Sequence, residues 1–169
     1  MSNIIMGINP TRVDTEAQYP LGLEVDDPRG GEYAGNRIRY VKATASGVAA
    51  GKALQFDIGA STGPPSLRGR AMIPTATTTP LTQIVSALAH VAIANGSFGW
   101  VTVHGIVFGA TVPDSLAVGT TMIGGAAGAL VDSSGAGTET AELDWSLASG
   151  KRVILVEDTG TSLGTVFID

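Results

Sequence analysis

The sequence predicts an all-β fold: a single small β-barrel or sandwich of short antiparallel strands, preceded by an extended N-terminal arm. Valine (15) and isoleucine (12) are abundant, and aromatic or β-branched residues cluster in short runs. Glycine (23) and Ser/Gly/Pro clusters separate those runs at roughly the 8–12-residue spacing of sandwiches and barrels. At 169 residues the chain is long enough for one domain with its own core.

Residues 1–36 read as the arm. Pro10, Pro20 and Pro28 interrupt any helix, and Asp26-Asp27-Pro28-Arg29-Gly30-Gly31 is a turn cluster. Ile8, Val13, Tyr19, Leu21, Leu23 and Val25 follow no helical period. The segment is too apolar for a free tail and too irregular for a domain. Two readings stay open: it orders on a partner's surface, or it packs on its own barrel.

The barrel domain spans 37–169. Arg37–Ala43 is rich in strand formers, and Lys52–Ile58 alternates with Leu54, Phe56 and Ile58 on one face. Gly59–Pro65 is a loop, because Gly-Pro-Pro cannot continue a ladder. Arg68–Pro74 reads as a short edge strand. Residues 79–96 fit a helical stripe (Ile84, Val85, Leu88, Val91, Ala92) as well as a strand apolar on both faces. The hairpin-loop composition of Asn95–Gly99 favours the strand. Trp100–Phe108, Thr120–Ile123, Ala129–Asp132, Thr140–Ala148, Arg152–Glu157 and Thr165–Ile168 complete the strands, with glycine or serine turns between them.

Charge patterning bears on function. Residues 1–70 hold eight basic and seven acidic groups, whereas 71–169 hold two and eight. From Ala71 to Pro113 no Asp, Glu, Lys or Arg occurs, which places that stretch in a core or at a protein–protein interface. An acidic chain without a basic patch argues against nucleic acid as a partner. No apolar run is long enough for a membrane-spanning helix, and Met1–Met6 lacks a signal-peptide pattern, so synthesis in a cytoplasm is expected. With no cysteine there is no disulfide framework and no thiolate chemistry.

Catalytic patterns are weak. Gly59-Ala60-Ser61-Thr62-Gly63 matches a nucleophile elbow in letters, but Pro64 and Pro65 follow where a helix must start, so a hydrolase using Ser61 is the least favoured reading. His90 and His104 are not spaced as a metal pair on one element, though a hairpin could bring them together near Asp114. Glu142 and Asp144 share a strand face opposite Leu143 and Trp145, which reads as a solvated face. No catalytic residue, cofactor or metal is expected.

The runs Asn36–Ala43, Val48–Leu54, Ala92–Gly105, Ala117–Thr121 and Ala127–Asp132 resemble the small capsid decoration (cement) proteins of tailed bacteriophages. The resemblance covers about residues 37–169 as a pattern of strands and small residues, not as a sharp motif. It implies a structural virion protein that binds the outside of an assembled capsid and stabilises contacts between capsomers. Its partners would be the major capsid protein and further copies of itself, as a trimer rather than a dimer. Another virion part, such as a tail or head-fibre base subunit, is the alternative. The candidate capsid or self-interface residues are Arg12, Tyr19, Leu21, Leu23, Arg29, Arg37, Arg39, Phe98 and Trp100, the four arginines pairing with acidic groups on the shell. On this reading, a chain lacking residues 1–36 folds but no longer binds.

Overall fold

The structure is a computed structural model that describes residues 7–44, 47–56, 71–74, 85–133 and 152–169. Within them the chain is all-β. Eleven strands form one sheet: β1 (Val13–Asp14), β2 (Glu24–Asp26), β3 (Arg37–Ala43), β4 (Ala53–Phe56), β5 (Ala71–Pro74), β6 (Ala87–Leu88), β7 (Phe98–Thr111), β8 (Thr121–Gly124), β9 (Leu130–Asp132), β10 (Val153–Thr161) and β11 (Leu163–Ile168). The strand order is β2-β3-β5-β4-β6-β7-β11-β10-β8-β9, with β1 added on β7.

The pairings β3-β5-β4-β6-β7 return on themselves, because β7 also pairs with β3. The sheet as a whole stays open, with β2 at one edge and β9 at the other. A barrel closed around all strands is therefore not formed, and the sandwich-like alternative describes the molecule. Its two halves meet in a shared core. Ala53 of β4 and Leu88 of β6 pack with Val107 and Ala110 of β7, Val153 and Leu155 of β10, and Val166 and Ile168 of β11. A second cluster joins Val41, Leu54, Ala87, Val101 and Val103 between the first-half strands.

Strand alternation explains this division. Along β7, Val101 and Val103 turn into the second cluster while Trp100 turns to the opposite face with Ile38 and Tyr40 of β3. β7 is 14 residues long because it serves both halves. Its first part pairs with β3 from Phe98 to His104, and its second part pairs with β11 from Gly105 to Thr111. The change of partner falls at Gly105, which has φ +107°. A Cβ there would stand 2.0 Å from Asn36 Oδ1, so glycine is required for both conformation and space. Asn36 uses that space. Its Nδ2 donates to the Ile106 carbonyl at 2.7 Å and its Oδ1 accepts from the Ile106 N–H at 2.8 Å.

Several expected boundaries shift. Segment 71–74 is not an edge strand: β5 pairs in parallel with β3 and antiparallel with β4. Residues 85–96 do not form one continuous strand. They contribute the two-residue β6, a bend at His90–Val91 and an isolated bridge from Ile93 to Val48. The loop expected at 160–164 tightens into the β10–β11 hairpin. The Gly59–Gly63 motif and the strand expected at 140–148 lie outside the described residues.

Candidate functional site

The arm is built into the fold. Residues 7–26 lie across the face of β3 and β7, on a cluster formed by Ile38, Tyr40 and Trp100 and covered by Ile8, Tyr19, Leu21, Leu23, Val25 and Phe98. The contact is continuous from backbone to rings. β1 pairs Val13 with Gly99, and β2 pairs Val25 with Ile38. Gly22 N–H donates to the Tyr40 carbonyl at 2.8 Å, and Tyr40 N–H donates to the Leu23 carbonyl at 2.9 Å. The Tyr19 ring meets Tyr40 edge-on at 5.2 Å and Trp100 at 5.3 Å, a geometry favourable to aromatic pairs.

Polar groups are matched as closely. The Tyr40 hydroxyl donates to Asp14 Oδ2 at 2.9 Å and accepts from the Gln18 N–H at 3.3 Å. Burial and the adjacent Asp14 carboxylate both disfavour the phenolate, and the Tyr40 pKa is pushed up to about 12. The other Asp14 oxygen meets Arg12 Nε at 2.5 Å.

All nine residues expected to face a partner are therefore gathered in or beside this internal interface, and the assignment of them as external anchors is corrected. Trp100 is only 1% exposed, so it has no surface to offer. Arg29 forks onto Asp27 and lies 3.8 Å above the Tyr33 ring. Arg37 and Arg39 converge on Glu24, Arg37 Nη2 at 3.0 Å and Arg39 Nε at 2.7 Å. Phe98 stacks on Tyr40 at 6.3 Å, and Lys42 stands over its far side at 5.5 Å. The four arginines thus have carboxylate partners in their own chain. Removing residues 1–36 uncovers Ile38, Tyr40 and Trp100, so a truncated chain does not isolate one binding element.

Sequence reasoning missed Asp14, Asn36 and the role of His90. Each is an isolated polar residue beside apolar neighbours, a weak signal until the partner is known. His90 and His104 do not face each other. His90 lies between Pro10 and Thr102, whereas His104 stacks edge-on with Phe167 at 5.4 Å and stands 3.9 Å from Asp169. Among the described residues no group of three potential metal ligands exists.

The free surface lies on the other half of the molecule. On β10, β11 and β7, Ile154, Phe167 and Ile106 stand in direct cross-strand register on the face turned away from the core. Near them Phe108 is 38%, Val156 42% and Leu163 47% exposed. Chemically this is an apolar sheet face with few charges, suited to contact and not to bond-making.

Comparison with protein-family models, curated proteins and solved structures yields no match.

Proposed function

We propose that the protein is a structural virion component that binds the outer surface of an assembled phage capsid and stabilises contacts between capsomers. The observation that carries this reading is the apolar face around Phe108, Val156, Leu163 and Phe167, left open while the arm and its arginines are consumed internally. A rigid sheet bearing such a face contributes buried area wherever two shell subunits meet. About 800 Å² per partner is an ordinary specific interface, and repetition across a lattice multiplies modest contacts. The partners are the major capsid protein and further copies of this chain, and no membrane or nucleic acid is involved. No helix among the described residues is long and apolar enough to cross a membrane.

Co-sedimentation of the full chain with purified undecorated shells tests the proposal. Saturable, stoichiometric pelleting is expected, and the double variant F108S/L163S, altered at exposed positions, pellets at least tenfold less. A full-length folded chain that stays in the supernatant at every concentration ends this reading. Imaging of the pelleted particles separates it from a tail or head-fibre role: a decoration protein gives density over the whole shell.

A further inference from the structure

His90 draws together three separate segments. Its Nε2 lies 2.8 Å from the Pro10 carbonyl, at the root of the arm and 80 residues away in sequence. Its Nδ1 lies 3.2 Å from Thr102 Oγ1 on β7. Asp27 and Arg29, in the turn after β2, are the charged groups that act on it. A carbonyl can only accept, so Nε2 carries the proton. In the neutral ring Nδ1 then accepts from the Thr102 hydroxyl. The arrangement is fully satisfied by one tautomer of the uncharged imidazole. Pro10 has no N–H, so its carbonyl is the only backbone group by which that residue can be held.

We propose that His90 is an acid-released latch for the N-terminal arm: uncharged, it ties Pro10 to the sheet, and protonated, it lets the stretch from Gly7 to Arg12 lift from the Ile38–Tyr40–Trp100 cluster. Protonation makes Nδ1 a second donor, so the Thr102 hydroxyl must turn its proton elsewhere inside a site where Thr102 is 1% exposed. It also places a cation in a partly desolvated position beside the Arg29 guanidinium. Asp27 offsets this only in part, because both its oxygens are engaged by Arg29. Burial first, and then Arg29, hold the His90 pKa below its ordinary 6.5, against the opposing pull of the Pro10 carbonyl and Asp27. The sign follows. The folded state prefers the neutral ring, so the hold on the arm is full above the ordinary histidine range and weakens as pH falls from there toward the lowered value. Carboxylates such as Asp14 titrate in a more acidic window.

Hydrogen exchange on the full chain, read on a peptide covering residues 7–14 and corrected for intrinsic rates, tests the latch. Between pH 8 and pH 5 protection of that peptide is expected to fall at least tenfold while β11 is unchanged. In H90Q, whose amide can still donate to Pro10 but does not titrate, the change is expected to be under twofold. Equal protection at both pH values in the unaltered chain overturns the proposal, as does an equal loss in H90Q. Should H90Q fail to fold, imidazole nitrogen NMR of the unaltered protein decides. A neutral Nε2–H tautomer with a midpoint below 6.5 supports the latch, and an Nδ1–H tautomer or a higher midpoint refutes it.

Discussion

Asn36 is where the arm ends and the sheet begins, and its amide is the most informative group to remove. It is 2% exposed and bonds both backbone groups of Ile106, at 2.7 Å and 2.8 Å. In N36A those two groups lose their side-chain partner at a site shielded from water. Leaving a buried backbone donor or acceptor unpaired costs about 1–3 kcal/mol, so the pair costs roughly 2–5 kcal/mol. For a chain of this size each kcal/mol moves the melting temperature by about 2–4 °C, which gives a fall of roughly 5–15 °C. Thermal unfolding of purified N36A, followed by circular dichroism, reads this directly. N36D separates the two bonds: it keeps an acceptor for the Ile106 N–H but turns an oxygen toward the Ile106 carbonyl, so it too is destabilised. A shift under about 2 °C in N36A, or wild-type stability in N36D, refutes the claim that this amide couples the arm's end to the point where β7 changes partner.

Two further outcomes follow from the same interface. G105A introduces a methyl at φ +107° and 2.0 Å from Asn36 Oδ1, so it is destabilised by more than about 1 kcal/mol. Its cost is smaller in an N36A background, and strict additivity in that double-mutant cycle contradicts the steric account. Y40F removes the hydroxyl between Asp14 and the Gln18 N–H, leaving the buried carboxylate with one partner fewer, at about 1–3 kcal/mol in denaturant unfolding. In the unaltered protein the Tyr40 phenol ionises near 12 by absorbance titration, and stability declines as pH rises from the ordinary value of 10.0 toward it, since only the unfolded state releases the proton there. Complete tyrosine ionisation by pH 11 contradicts that placement.

The strands that could be read from the sequence are those whose pattern is local. Arg37–Ala43 became β3 with its bounds unchanged, and the runs beginning at Trp100 and Arg152 lie within or beside β7 and β10. In each, alternating side chains record which face is buried, and that record needs no distant residue. β6 resisted such reading because Ala87 and Leu88 are both buried, one toward each core cluster, so a two-sided strand and a helix look alike.

The arm's apolar residues and the run of arginines were equally plain, but their destination was not. Arg37 and Arg39 stand directly across the β2–β3 ladder from Asp26 and Glu24, and that register, not composition, turns them inward. His90 and Pro10, Asn36 and Ile106, and the parallel pairing of β3 with β5 depend on chain closure over tens of residues. Sequence by itself determined the class of fold, the main strands and a surface economical in charge. Tertiary structure alone decided which polar groups meet, because a hydrogen bond or ion pair across 70 or 80 residues leaves no period in the chain.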